Sequence, residues 1–386
     1  MPLLVLGFAA LAVGIGAGLA RLAWPMPSLA AGAAAWHGPL MICGFFGVVI
    51  SLERAVAIAS AVVPSAAGTA AATAAASGTA VGRGWAYAAP AAAALGTVAL
   101  VHGAGAAAPW LYLAASVGLL AASLHVLARQ RMAFNLVITL GAASWCVGTA
   151  LWATGSPVPD VVGWWLAFLV LTIAGERLEL SRFMPPSAAA QRLFGVIVVA
   201  LLAALGVLAA TQAAAAGQAF GLALAALAAW LLANDIARRT VRQSGLTRYI
   251  AVCLLTGYGW LAVGGLVIAW AGLASGGPAY DAALHALLLG FVFAMVFGHA
   301  PIIFPAVLRV RLPYHAAFYA PLVLLHASVA LRLAGDALQA LGQAFGREGG
   351  AAFGLVRGGA LLSALALLAF VATMAQAAWR GRRAAS

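Results

Sequence analysis

The feature that most constrains this chain is its succession of long apolar segments, separated by short interruptions. A helix of about 20 mostly apolar residues is long enough to cross the hydrocarbon core of a bilayer. Of the 386 residues, 65% are hydrophobic and only 7% are charged, whereas a soluble domain carries roughly 25% charged residues. A soluble fold could not cover so much apolar surface with polar groups. The sequence therefore predicts an integral membrane protein.

The apolar segments predict an all-α, polytopic protein with about twelve transmembrane helices in a single domain, residues 1–386. In lipid every backbone polar group must be hydrogen bonded within the chain. The apolar runs are too long and too continuous for the alternating strands of a membrane barrel. The predicted spans are residues 2–22, 28–51, 85–104, 109–128, 133–154, 159–180, 192–211, 217–234, 249–272, 282–304, 314–334 and 357–378.

The two longest gaps between these spans predict loops. Residues 55–84 are rich in Ala, Ser, Thr and Gly and are predicted to form a low-complexity cytoplasmic loop. Residues 335–356 are rich in Gly and are predicted to form an extracytoplasmic loop. Neither gap is long enough for a separate soluble domain.

The basic residues, all of them arginine, indicate the orientation of the chain. Sixteen of the twenty follow even-numbered spans or lie in the C-terminal tail. Because cytoplasmic loops are enriched in basic residues, both termini are predicted to be cytoplasmic, in a multi-pass protein of the bacterial inner membrane. The net charge of +12 then needs no nucleic-acid partner, and the lipid bilayer is the predicted environment. The four arginines on the other side are Arg21, Arg332, Arg347 and Arg357.

Histidines inside the predicted spans are the main candidates for function, because ionisable groups in a membrane are costly. His37 lies in the outer half of the second span, in the sequence Trp36-His37-Gly38-Pro39. Gly38 allows another group to approach closely, and Pro39 frees a backbone carbonyl and favours a kink. The sequence therefore predicts either a ligand histidine or a histidine bonded to that freed carbonyl.

Two further histidines lie in later spans at a comparable predicted depth. His285 is in the tenth span and His326 is in the middle of the eleventh. Neutral imidazole is a common metal ligand, and two imidazoles facing each other can bind haem iron axially. We therefore expect His37 and His285 to be axial ligands of a non-covalent haem, with His326 beside the haem or as an alternative ligand.

His299 and His315 bracket the predicted turn between the tenth and eleventh spans, which also holds three prolines. They predict a second metal site at His299, a proton path, or a role in stabilising the turn. His102 and His125 lie near span ends, where they can reach water. The chain has no HExxH, GxxxxGK[ST] or CxxCH sequence, which disfavours a zinc hydrolase, an ATPase and a c-type haem.

A weak internal similarity links the ends of two spans. The second span ends in Ser51-Leu52-Glu53-Arg54 and the sixth in Gly175-Glu176-Arg177. This similarity is compatible with an ancient four-helix repeat, and also with two unrelated Glu–Arg ion pairs at the membrane interface.

These segments resemble the NnrS family, twelve-helix bacterial membrane proteins associated with haem, copper and nitric oxide metabolism. The resemblance is carried by the size, the helix count, Trp36-His37 and the segment from His285 to His299. The chain is also similar in arrangement to subunit I of the haem-copper oxidases, which takes the ligands of one haem from helices two and ten. The resemblance implies haem, and copper as a second cofactor.

Three functions remain open from the sequence. The first is a haem-binding protein of redox or nitric oxide metabolism, with a redox partner and with Glu176 or Tyr258 serving protons. The second is a secondary transporter with a midplane site at helix breaks, predicted at Gly257-Tyr258-Gly259-Trp260 and Gly298-His299-Ala300-Pro301. The third is a structural or assembly subunit of a membrane complex.

Overall fold

A computed structural model describes residues 2–60, 84–273, 276–308, 310–346 and 350–383. Within these residues every regular element is a helix and there is no strand. Twelve of the described helices are long and apolar enough to cross a membrane. The chain is therefore an all-α, polytopic membrane protein, as the apolar segments predicted.

The twelve long helices follow the predicted spans closely, and we number them in chain order. They are α1 (Pro2–Arg21), α2 (Ala34–Ala59), α3 (Gly84–Val101), α4 (Ala108–Arg129), α5 (Ala133–Ala153), α6 (Val158–Leu180), α7 (Ala188–Thr211), α8 (Ala214–Asn234), α9 (Gly245–Ala271), α10 (Gly277–Pro305), α11 (Ala316–Ala344) and α12 (Gly350–Arg383).

Helix boundaries differ from the prediction at both predicted loops. The segment predicted as an extracytoplasmic loop, residues 335–356, is mostly helical, because α11 continues to Ala344 and α12 begins at Gly350. The predicted loop at 55–84 is helical as far as Ser60 and again from Gly84. Its remaining residues, 61–83, lie outside the described part of the chain.

The described chain divides into two compact units, unit 1 (Met1–Phe168) and unit 2 (Leu169–Ser386). In unit 1, α1 and α2 pack in an antiparallel register that places glycines of α1 against side chains of α2. A Cβ on each glycine would lie within about 3 Å of the opposing side chain, so only glycine allows this approach. The three opposing pairs are Gly7 with Val48, Gly14 with Met41, and Gly18 with His37.

Glycines also allow close helix packing in unit 2. Between α8 and α9, a Cβ on Gly265 would lie 2.7 Å from the Ala225 nitrogen. Between α11 and α12, a Cβ on Gly335 would lie 2.8 Å from the Val356 nitrogen. This close packing explains why the glycine-rich residues after 335 are helical rather than a loop.

Candidate functional site

His37 is held by the glycine face of α1. Its Nδ1 lies 2.7 Å from the Gly14 carbonyl oxygen, and not at the carbonyl that Pro39 frees. Because a carbonyl can only accept a hydrogen bond, Nδ1 carries the ring proton and Nε2 carries the lone pair. A Cβ on Gly18 would lie 2.8 Å from Cε1 of the ring. The α1 backbone therefore fixes both the tautomer and the position of this half-buried imidazole.

A π-helical segment, Leu40–Phe46, begins immediately after Pro39 within α2. Proline cannot donate a backbone hydrogen bond, so the regular ladder is interrupted at this point. Gly44 in the segment admits polar groups, since a Cβ there would lie 2.9 Å from Thr97 Oγ1. That hydroxyl and the Tyr112 hydroxyl are 3.0 Å apart. Short π-helical segments are frequent at functional sites.

His285 occupies an analogous place in α10, with its side chain 18% exposed. Its Nδ1 lies 2.8 Å from the Asp281 carbonyl oxygen and 3.4 Å from Asp281 Oδ1. This ring also carries its proton on Nδ1 and its lone pair on Nε2. A second π-helical segment, Ala286–Phe293, follows at once.

An ion pair supports the Asp281 carboxylate beside His285. Arg332 of α11 donates from Nε to Asp281 Oδ2 at 2.7 Å and from Nη2 to Oδ1 at 3.0 Å. Asp336, one turn further along α11, is 2% exposed and interacts electrostatically with both residues. The Asp281 carboxylate beside His285 thus belongs to a cluster that also contains Arg332 and Asp336.

Both ring nitrogens of His326 are committed to hydrogen bonds within unit 2. Trp260 Nε1 can only donate, and it donates to His326 Nδ1 at 2.9 Å. His326 Nε2 must then carry the proton, and it donates to Thr256 Oγ1 at 2.9 Å. Gly290, in the π-helical segment of α10, lies directly against Trp260. His326 therefore has its lone pair occupied by an indole N–H in this arrangement.

Both ring nitrogens of His299 also make hydrogen bonds, and one of the partners is charged. Its Nδ1 donates to the Met295 carbonyl at 2.8 Å, and its Nε2 accepts from Arg177 Nη1 at 3.2 Å. Arg177 Nε donates to Asp235 Oδ2 at 3.0 Å, in an ion pair whose side chains are 4% and 2% exposed. Asp235 is thus an ion-pair partner of Arg177 that the sequence did not indicate.

Asp235 is the centre of this buried network. Its Oδ2 also accepts from the Tyr258 hydroxyl at 2.7 Å, and its Oδ1 accepts from the Ala237 backbone nitrogen at 2.7 Å. The network brings together His299 and Tyr258, which the sequence singled out separately. Because a buried ion pair must have its remaining atoms satisfied, these bonds make the network a stable link between α6, α8, α9 and α10.

The other histidines are placed as their span-end positions indicated. His102 is exposed, and His125 makes an edge contact with Trp85 at 5.7 Å between ring centroids. His315 Nδ1 accepts from the Ala317 nitrogen at 3.1 Å and so caps the short 3-10 helix Ala316–Phe318. This contact is the turn-stabilising role considered for His315.

The helix breaks predicted for a transporter are not found at the predicted residues. Residues 257–260 lie inside the continuous helix α9, and residues 298–301 lie inside the α-helical segment Ala294–Leu308. Two π-helical segments, Leu40–Phe46 and Ala286–Phe293, interrupt the regular α-helix within α2 and α10, and sequence reasoning did not locate them.

The described part of the chain contains no group of three or more His, Cys, Asp and Glu side chains that could hold a metal ion. Of the predicted ligands, His37 belongs to unit 1 and the other three belong to unit 2. Within unit 2, His285, His299 and His326 lie in three separate hydrogen-bond networks. The predicted pairing of His37 with His285 stays a prediction.

Sequence reasoning missed Asp281, Arg332, Asp336, Asp235 and Gly18. Two signals could have found some of them. Asp281 precedes His285 by four residues, the spacing of neighbours on one helix face. Gly14 and Gly18 form a small-xxx-small pair, which marks a close helix contact in membranes.

Comparison with protein families gives one result. The family described as "Domain of unknown function (DUF8744)" matches residues 1–379. The chain belongs to this family. The match covers both units and every histidine discussed above. No curated protein and no solved structure matches the chain. The resemblance to the NnrS family and to the haem-copper oxidases therefore stays a prediction.

Proposed function

We propose that this protein is a haem-binding, multi-pass membrane protein with His37 and His285 as axial ligands. The observation that carries the proposal is the tautomer of the two rings. Each Nδ1 donates to a backbone carbonyl, at 2.7 Å for His37 and 2.8 Å for His285. This arrangement fixes the tautomer and the orientation of each ring, and Nε2 is the atom through which imidazole commonly binds iron.

The other two candidate ligands accept hydrogen bonds within unit 2. The lone pair of His326 accepts from Trp260, and that of His299 accepts from Arg177. To bind a metal, either histidine would have to lose a hydrogen bond from a buried or half-buried donor, which is unfavourable. The proposal therefore assigns these two residues to the packing of unit 2.

The surroundings of His37 and His285 are those of oriented metal ligands. A hydrogen bond from Nδ1 to a carbonyl or carboxylate is the usual outer support of a ligating histidine. Gly14 supplies it for His37, while Asp281, held by Arg332, supplies it for His285. His37 and His285 would hold the haem iron, and the haem would supply one-electron chemistry.

Electron transfer with a redox partner in the bacterial inner membrane follows as the proposed role. Nitric oxide metabolism is the process that the resemblance to the NnrS family suggests. Haem is the proposed cofactor, and copper is the second cofactor that the resemblance to the NnrS family suggests.

A secondary transporter is the second candidate, favoured by one observation. Unit 2 places charged groups near both ends of α10, with half-buried Asp281 and buried Arg332 at one end and buried Arg177 and Asp235 near the other. Charged groups within membrane spans commonly line transport paths.

Absorption spectroscopy of the purified full-length protein separates the two candidates. We expect a Soret band whose position is that of six-coordinate, low-spin iron, with about one haem per chain by metal and haem analysis. Protein expressed with adequate haem supply that is colourless and free of iron would remove the haem proposal and leave the transporter as the stronger candidate.

A further inference from the structure

Unit 1 contains a groove whose lining includes none of the histidines or ion-paired residues described above. It lies where α4 ends and α5 begins, and its volume is about 460 Å³. Leu124 and Leu127 of α4 and Leu136 of α5 form apolar walls, and Arg131 and Met132 of the turn also line the groove. The groove therefore combines an apolar surface with one arginine, Arg131.

The apolar walls of the groove are accessible. Leu124 is 49% exposed, Met132 is 46% exposed and Leu136 is 48% exposed. In a chain whose helices cross a bilayer, apolar side chains at this position meet acyl chains rather than water. The walls therefore suit a hydrocarbon tail that lies along α4 and α5.

Arg131, the charged residue that lines the groove, has no acidic residue near it in the sequence. No Asp or Glu occurs between Glu53 and Asp160. Within the described part of the chain, neither Arg129 nor Arg131 makes an ion pair. Both side chains are exposed, so this turn is a local concentration of positive charge at the edge of an apolar groove.

The turn that carries these arginines is held in place. Asn135, which is 4% exposed, donates from Nδ2 to the Gln130 carbonyl at 2.9 Å and to Gln130 Oε1 at 3.3 Å. The Met132 backbone nitrogen also donates to the Gln130 carbonyl at 2.8 Å. A buried amide thus fixes the short connection and keeps Arg131 beside the groove.

We infer that this groove binds a phospholipid with an anionic headgroup, whose phosphate pairs with Arg131 and whose acyl chain lies against Leu124 and Leu136. Basic pockets between transmembrane helices are suited to anionic headgroups, and each nearby arginine contributes about 1 kcal/mol. The inference is independent of haem, because it rests on residues of α4, α5 and their connecting turn alone.

Native mass spectrometry of the purified full chain tests this inference directly. The protein is equilibrated with equal amounts of phosphatidylglycerol and phosphatidylcholine that have the same acyl chains, and retained lipid is counted. We expect the wild type to retain phosphatidylglycerol preferentially. Arg131→Gln should reduce that preference about fivefold, and Arg131→Lys should keep most of it.

Two further variants distinguish a built site from general attraction of anionic lipid to basic residues. Arg192→Gln removes an exposed arginine at the start of α7 and should leave the preference unchanged. Ala133→Trp fills the groove without changing charge and should reduce retention as strongly as Arg131→Gln. Equal retention of the two lipids by the wild type would overturn the inference. Equal effects of Arg131→Gln and Arg192→Gln, or no effect of Ala133→Trp, would overturn it as well.

Discussion

The helices α2 and α10 present a histidine in the same local setting but hold it by different means. In each, a half-buried histidine precedes a π-helical segment, Leu40–Phe46 or Ala286–Phe293. His37 donates to a carbonyl of another helix, at Gly14, whereas His285 donates to a carbonyl of its own helix, at Asp281. The orientation of His37 therefore depends on helix packing, and that of His285 depends on local helix geometry.

The two rings also lie against different kinds of group. The His37 ring lies against the glycine backbone of α1, at Gly14 and Gly18. The His285 ring lies beside a carboxylate that is itself paired with Arg332. A neighbouring carboxylate makes an imidazole a stronger electron donor. Substitution of Gly18 should therefore act on His37 through the shape of the packing, and substitution of Asp281 should act on His285 through charge.

The largest effect is expected from a change that concerns neither ring. Asp235→Ala leaves Arg177 buried without its counter-ion, which should lower the free energy of unfolding by about 3–5 kcal/mol. The bound haem per folded chain should not change, because His299 lies in this network and His285 does not. Equilibrium unfolding in mixed micelles measures the first quantity and the Soret absorbance the second.

Asp160→Ala is the matched control, since Asp160 is an exposed acid in the first turn of α6. Its effect should stay below about 1 kcal/mol. Loss of haem from correctly folded Asp235→Ala protein would show that His299 takes part in ligation, which would break the contrast between the two histidines of α10.

The next effect concerns the charge beside His285. Asp281→Asn removes the carboxylate that accepts two hydrogen bonds from Arg332, and should destabilise the protein by about 2–3 kcal/mol. Haem should remain bound with a raised midpoint potential, because the ligand imidazole loses its anionic neighbour. Redox titration followed by absorbance checks this.

Glu179→Gln serves as the control for Asp281→Asn. It removes an exposed acid that lies 3.9 Å from Arg182, and an exposed pair of this kind contributes less than about 1 kcal/mol. An unchanged midpoint potential in Asp281→Asn would contradict the electrostatic half of the comparison.

The smallest of these stability effects should come from the packing beside His37. Gly18→Ala places a Cβ where the ring lies, 2.8 Å from Cε1, and overpacking of this size costs about 1.5 kcal/mol. If the ring must move, haem affinity should fall about tenfold. Gly32→Ala, at a glycine with open space around it, should leave affinity unchanged. Equal affinities of the two variants would show that α1 does not set the position of the ring.

The number and positions of the helices could be predicted from sequence because hydropathy records each crossing directly. The end of α11 could not. Residues 335–356 resembled a loop because they are rich in glycine. In the folded chain Gly335 allows α11 and α12 to approach closely, and this packing depends on a contact that single-residue hydropathy does not record.

The histidines could be chosen from sequence, but their hydrogen-bond partners could not. The acceptor of His37 is a backbone carbonyl on α1, and its identity depends on the register between two helices. The hydrogen bonds of His326 with Trp260 and of His299 with Arg177 likewise depend on packing between helices that are distant in sequence. Residue type and depth alone did not separate His326 from His37 and His285.

The most direct test of the central claim is the absorption spectrum of single histidine variants of the purified full chain. We expect His37→Ala and His285→Ala each to abolish the Soret band or to convert it to that of five-coordinate iron. His326→Ala and the exposed control His102→Ala should keep the wild-type band. Wild-type spectra in both His37→Ala and His285→Ala, or loss of the band in His326→Ala alone, would contradict the assignment of His37 and His285 as the haem ligands.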